Sequence, residues 1–294
     1  MENITKSSVE VLSKNLKKRN ASLDNSEIHE GFVLDVEVDC KHSLFDMRTG
    51  MPYEWAQNMN FGSFKLYENC VCGVKKQGKY SFFDLKTNSP FLGGFSISAD
   101  KVHVYDGSVL AAKMGGKYSL SDLNTGKYFP KADSIDADMV RVRNKEFTEI
   151  RTGDNYSFME LATGKYIVKN QPAKKIAVYD DSFYVFINGT NISYCDLKSG
   201  YSGKIQNFGN GFISNVYDKR IIEFVQDMKY SYRSVVANKW FLRNCDSGQM
   251  VDNGLVTIKN GKVGYLSPTD IGEIEMGGPI ENRFFMRSMV PRTR

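Results

Sequence analysis

This chain of 294 residues has few of the side chains that carry out chemistry: three histidines and five cysteines. The histidines, His29, His42 and His103, form no His-Glu-x-x-His pair, which excludes the zinc-peptidase pattern. No Gly-x-Ser-x-Gly elbow and no phosphate-binding glycine loop occurs, so the serine-hydrolase and P-loop signatures are missing too. A sialidase-type Ser-x-Asp-x-Gly-x-Thr-Trp turn is also absent. The cysteines, Cys40, Cys70, Cys72, Cys195 and Cys245, are odd in number and have no Cys-x-x-Cys spacing. They read as reduced thiols of a cytoplasmic protein. Cys70 and Cys72 stand two apart on an expected strand, hence on one face, as small buried residues without the further ligands a metal needs. No apolar run approaches the roughly 20 residues of a membrane span. The opening MENITKSSVEVLSKNLKKRN has no apolar signal-peptide core. The expectation is therefore no cofactor, no metal and no membrane, and a protein that is not an enzyme. A hydrolase or lyase stays open only through acids or histidines clustered at a channel.

What the chain does have is repetition. A heptapeptide recurs as KHSLFDM (41–47), KYSFFDL (79–85), KYSLSDL (117–123), NYSFMEL (155–161), NISYCDL (191–197), KYSYRSV (229–235) and, degenerate, KVGYLSP (262–268). A period near 38 residues signals a repeat architecture. Within each repeat, β-rich runs alternate with short turns. Residues 101–130 read KVHVY, Asp106-Gly107, SVLAAKM, Gly115-Gly116, KYSLSDL, Asn124-Thr125-Gly126 and KYFP, which is four antiparallel strands. The second and fourth heptapeptide positions, such as Tyr80 and Phe82, share one buried face. Asp46, Asp84, Asp122, Glu160 and Asp196 precede the third turn, where a short carboxylate accepts turn N–H groups. Read as catalytic, they would lie too far apart to act together.

Four strands per 38 residues predict an all-β, seven-bladed β-propeller of four-stranded blades. The first unit lacks a first strand, and RFFMRSMV (283–290) is left over. The ring is thus expected to close by that C-terminal strand completing the first blade. The seventh blade would hold a strand near Gln249–Asp252, then LVTIKN, KVGYLS and GEIEM. KWFLRN (239–244) is taken as the outer strand of the sixth, although aligning NKWFLRNCDSG (238–248) with the heptapeptide allows six or eight blades. Residues 1–27 form an N-terminal helical arm, 28–290 the propeller and 291–294 a disordered tail. The helix spans 7–20, with Ser7 and Glu10 as a capping box and Val9, Leu12 and Leu16 as its apolar face. It either docks on the ring or reaches for a partner.

The ends DLKTN, DLNTGK, ELATGK and DLKSG resemble the third-strand ends of WD-repeat blades. NGLVTIKNGKVGYLSPTD (253–270) resembles a WG-type repeat. The chain departs from both: it has no Gly-His pair or Trp-Asp end, and Trp-Gly is replaced by Val263-Gly264. The resemblance implies a propeller and the role such rings usually have, as protein-interaction platforms.

The net charge is +5. The first 27 residues and the arginine-rich end from Arg283 account for it, leaving the body near neutral, which argues against a whole-surface nucleic-acid binder. Charge is nonetheless patterned. Second turns carry Lys75, Lys76, Lys79, Lys113, Lys117, Arg151, Lys259 and Lys262, and first turns carry Glu68, Asp106, Asp180, Asp181 and Asp218. Either these are solvated turn residues, or one face is basic and binds an acidic partner. A protein is the first expectation and nucleic acid, through this face and the arm, the alternative.

Overall fold

A computed structural model describes residues 4–18, 26–57, 59–60, 63–68, 70–179, 182–205, 211–217, 221–251, 254–259, 262–267 and 271. The chain divides into two compact units, Met1–Gly153 with Phe158–Tyr166, and Asp154–Ser157 with Ile167–Arg294. Each is taken by itself.

The heptapeptide is the third strand of every sheet. In the first unit, sheet 1 runs Ser26–His29, Val33–Val38, Lys41–Asp46, Met51–Pro52. Sheet 2 runs Ser63–Tyr67, Val71–Lys76, Lys79–Asp84, Ser89–Pro90, with Ile97–Ser98 added to its third strand. Sheet 3 runs Lys101–Tyr105, Val109–Met114, Lys117–Asp122, Ile135–Asp136. Sheet 4 runs Met139–Arg143, Phe147–Thr152, Asn155–Glu160, Tyr166–Pro172, its last two strands crossing the unit boundary. The second unit holds sheet 5 (Lys175–Tyr179, Phe183–Asn188, Asn191–Asp196, Ser202–Ile205) and sheet 6 (Phe212–Tyr217, Ile221–Gln226, Lys229–Ser234, Lys239–Cys245). Sheet 7 has Ser247–Val251, Gly254–Lys259 and Lys262–Leu266. Strands follow in chain order and pair antiparallel, as two-residue turns require. At Gln77-Gly78 and Gly115-Gly116 both turn residues have positive φ, the geometry that matches strand twist.

Neighbouring heptapeptide residues enter different cores because side chains alternate across a strand. Phe83 joins Cys72, Val74, Val33 and Leu44 between sheets 1 and 2. Phe82 joins Val71, Val104 and Leu110 between sheets 2 and 3. Leu120 and Val109 meet Val140, Ile150 and Met159 between sheets 3 and 4. In the second unit, Phe183 and Tyr194 of sheet 5 pack on Ile222 and Phe224 of sheet 6, and Tyr232 of sheet 6 packs on Leu255 and Leu266 of sheet 7. Sheets stacked face to face, one core per pair, explain why positions four and five of the heptapeptide are both buried.

Four expectations are corrected. Sheet 1 does have a first strand: Ser26–His29 pairs with Val33–Val38, His29 opposite Val33. The place assigned to 283–290 is thus filled, and the 27/28 domain boundary falls inside a strand. SEIH is short and polar, with no alternation to betray it. The last strand of sheet 3 is Ile135–Asp136, while Tyr128 of KYFP makes only a single bridge to Ser121. Cys70 lies in the turn before its strand, packed toward the core between sheets 2 and 3, whereas Cys72 faces sheet 1. The helix α1, Lys6–Lys18, is capped by Thr5, not Ser7. The Ser8 N–H donates to Thr5 Oγ1 (3.1 Å) and the Thr5 N–H to Ser8 Oγ (2.9 Å), a reciprocal box built from two hydroxyls.

Docking is the observed role of α1. Leu12 and Leu16 pack on Leu34, Val36 and Phe45 of sheet 1, worth about 1.5–3 kcal/mol per buried leucine. Val9 stays exposed. Gly50 lets the third turn touch the helix, since a Cβ there would lie 2.2 Å from the Ser8 carbonyl oxygen. Residues 272–276, 283–290 and 291–294, expected as strands and tail, lie outside the described residues. No helix of the described residues is long and apolar enough to cross a membrane.

Candidate interaction surface

Contacts between first turns fix which strand ends lie together in the first unit. The Lys145 N–H of sheet 4 donates to the Asp106 carboxylate of sheet 3 (2.9 Å). Gly107 of sheet 3 lies against Cys70 of sheet 2. The second turns of sheets 2, 3 and 4 therefore share the opposite end. This end brings together Lys75, Lys76, Lys79, Lys113, Lys117 and Arg151, on three neighbouring hairpins. The Lys75 ammonium lies 4.9 Å from the Tyr80 ring centroid and Lys113 lies 4.7 Å from that of Tyr118, the same cation–π seat one repeat on. The Arg151 Nε donates to the Gly153 carbonyl (2.9 Å). Lys259 and Lys262 occupy one hairpin of the second unit. The Lys259 ammonium donates to the Arg243 carbonyl (2.9 Å), and the Lys262 side chain lies outside the described residues. Of the first-turn acids, Glu68 and Asp106 are described; Asp180, Asp181 and Asp218 are not.

Two carboxylates at the basic end escaped the sequence reading. Asp100 accepts the Gly115 N–H (2.9 Å) and Asp138 the Gly153 N–H (2.7 Å). Their spacing of 38 residues is the signal that could have found them. They fix each second turn from the segment entering its sheet, and they dilute the basic charge.

Beside the sheet 3 hairpin lies a groove of about 560 Å³. Phe95, Met114 and Tyr128, 54%, 61% and 63% exposed, line it together with Lys117 and Tyr118. Three large apolar side chains left in water at one place are unusual, and such patches mark interaction sites. Phe95 and Tyr128 stand at positions whose residue type changes between these units (Asp133 lies 38 residues after Phe95, Pro90 lies 38 before Tyr128), so periodicity could not reveal the groove.

No protein-family model and no curated protein sequence matches the chain. Among solved structures it is similar to BamB from Moraxella catarrhalis (12% identity, 79% of this chain and 80% of that one, TM-score 0.32). It is similar to Kluyveromyces lactis Hsv2 (11%, 79% and 88%, 0.36) and to a eukaryotic initiation factor (13%, 81% and 74%, 0.40). Likenesses of that size carry no argument for what the chain is or does.

The reactive groups are mostly tied into structure. His42, in the tyrosine position of its heptapeptide, has Nδ1 2.9 Å from an Asp35 carboxylate oxygen. Burial pushes the Asp35 carboxyl up, against the pull of His42. His29 ends the first strand of sheet 1, and its ring meets Phe64 edge-on at 4.6 Å. Burial pushes the Cys195 thiol up to about 12 and raises Cys72 as well, so both stay protonated at neutral pH. Among the described residues no group of three His, Cys, Asp or Glu could hold a metal. The row of turn acids caps, as its position suggests. Asp46, Asp84, Asp122 and Asp196 accept the N–H groups of Arg48, Lys86, Asn124 and Lys198 at 2.8–3.2 Å, and Glu160 accepts the Thr163 hydroxyl.

Proposed function

We propose that the chain is a non-catalytic binding platform of β-propeller type, with its seven successive sheets as blades, that engages an acidic protein segment. The observation that carries this is the apolar groove of Phe95, Met114 and Tyr128 set beside Lys117 and the neighbouring basic hairpins. Apolar anchors with charged side chains beside them are what a protein interface needs: the groove supplies affinity, and the neighbouring lysines, which outnumber the one carboxylate of its wall, Asp133, supply orientation. In this reading Ser26–His29 supplies the first strand of the first blade. Five free cysteines, three of them buried, suit a reducing cytoplasmic setting.

The test is an array of synthetic peptides graded in acidity and aromatic content. Acidic peptides with one large apolar residue are expected to bind, at least tenfold more weakly after Tyr128→Ala with Met114→Ser. Reversing Lys75, Lys76 and Lys79 to Glu should weaken the same peptides. Binding indifferent to both changes would sink the reading.

A second reading, polyanion or nucleic-acid binding, is favoured by α1, where Lys14, Lys17 and Lys18 line one exposed side with Val9. It requires an affinity that falls steeply with salt, with a log–log slope of about −0.7 to −0.9 per phosphate contact. A flat salt response removes it.

A further inference from the structure

The first strands of sheets 2, 3 and 4 carry a nitrogen-bearing side chain at the same exposed position: Lys65, His103 and Arg141, each 38 residues after the last. Alternation sends Val102, Val104, Val140 and Val142 into the cores and leaves this row in solvent. Lys101 lies on the same face as His103, two residues before it. Between Lys101–Tyr105 and Met139–Arg143 there is a cleft of about 130 Å³, with Lys101, His103, Arg141, Tyr105 and Tyr118 in its walls. The Tyr105 hydroxyl donates to the Val140 carbonyl (2.9 Å) and ties the two strands together beneath it. The His103 ring sits between Tyr67 and Tyr105, at 5.7 and 4.3 Å between centroids. On the far side, Lys65 lies 5.2 Å from the Tyr67 ring centroid.

These cations are not neutralised. Among the described residues, none of Lys65, Lys101 and Arg141 forms an ion pair with a carboxylate. Arg143, two residues beyond Arg141, shows the contrast, since its guanidinium binds Glu149 at 2.9 Å. His103 is held below its usual value by burial first, then by the field of Lys65, with Lys101 and Arg141 adding to it and Glu68 opposing. A neutral imidazole can donate one hydrogen bond without adding charge.

We propose that this cleft binds a phosphate-bearing anion. The Arg141 guanidinium offers a planar fork and Lys101 a point charge, the usual pair for a phosphoryl group, with Lys65 extending the field along the row. Two cations without an ion-pair partner in the cleft wall, Lys101 and Arg141, suit a dianion better than a single carboxylate. The volume equals about four waters at ~30 Å³ each, which is room for a phosphoryl group but not for a folded domain. The site shares only Tyr118 with the groove, and neither Arg141 nor Lys101 lines the groove, so either can fail without the other.

The test uses the full chain at low salt, with inorganic phosphate and adenosine monophosphate as probes. The three imidazoles are followed by NMR. Both probes should shift His103 and leave His42, held by Asp35 in sheet 1, unmoved. Arg141→Gln and, independently, Lys101→Gln should each weaken binding about tenfold with unchanged melting temperatures, while Lys259→Gln should have no effect. Tighter binding of the nucleotide would name a nucleotide-like source, and equal binding a bare phosphoryl group; either upholds the site. A stationary His103, or affinities of both cleft variants within twofold of the parent chain, would overturn it.

Discussion

At the scale of single residues, the repeated acids differ in how much they hold. Asp84 accepts one turn N–H, from Lys86. Asp196 accepts from the Lys198 and Ser199 N–H groups and from the hydroxyls of Ser182 and Ser199. Burial would raise the Asp196 carboxyl, but those bonds outweigh it and hold it below the ordinary aspartate value. A folded-state value below the unfolded one stabilises the fold above about pH 4, and that contribution is lost as pH falls through the depressed value. Asp196→Ala should therefore cost about 1–3 kcal/mol at pH 7 and Asp84→Ala about 1 kcal/mol or less. The gap between Asp196→Ala and the parent should narrow below pH 4. Denaturant midpoints of the two variants at pH 7 and pH 3 check this, and equal losses at pH 7 would contradict it.

At the scale of elements, third turns connect one sheet to the last segment of the preceding one. Gly126 of sheet 3 packs on the backbone of Gly93, and Gly164 of sheet 4 on that of Pro130. On Gly50 of sheet 1 the same seat is taken by α1. Gly164 has φ of +66°, and a Cβ there would stand 2.5 Å from the Pro130 carbonyl oxygen; Gly78 has φ of +80° with nothing within 4 Å. Gly78→Ala isolates backbone strain, about 1–2 kcal/mol, whereas Gly164→Ala adds a backbone clash. Calorimetry should show Gly164→Ala destabilising by clearly more; equality would mean that the contact between sheets carries no weight. Much of this level was legible. The heptapeptide marks each third strand because its aromatic-alternating pattern and turn acid answer to local forces that recur in every unit. What was not legible depends on distant partners. SEIH becomes a strand only because Val33–Val38 offers an edge. Thr5 became the cap because Ser8 could reciprocate. Asp100 and Asp138 matter only once their strands lie beside the second turns.

At the scale of the whole molecule, identical sheets are made to differ by the residues they do not share. The cores use the shared positions; the groove uses Phe95, Met114 and Tyr128, and the cleft row uses Lys65, His103 and Arg141. The sequence reading found the basic hairpins but not these two sites, because both are built at positions whose residue type changes from one repeat to the next. Charge alone does not tell a protein partner from a polyanion. In the first unit six second-turn cations outnumber the carboxylates beside them: Asp100 and Asp138, each already engaged by a glycine N–H, Asp136 opposite Lys117, and Asp133 in the groove wall. A polyanion laid across all six would release counterions at each phosphate, giving a log–log salt slope near −4 to −5. Reversing Lys75, Lys76 and Lys79 would remove at least half of that slope. A protein segment anchored in the groove would instead show a shallow slope and a loss concentrated in Tyr128→Ala, since truncating a buried aromatic anchor commonly costs 2 kcal/mol or more, roughly a thirtyfold weaker complex. With one partner, both variants and two salt concentrations, titration separates the cases: a loss centred on Tyr128 with little salt dependence is expected. A slope halved by the lysine reversals, with Tyr128→Ala silent, would transfer the function to polyanion binding.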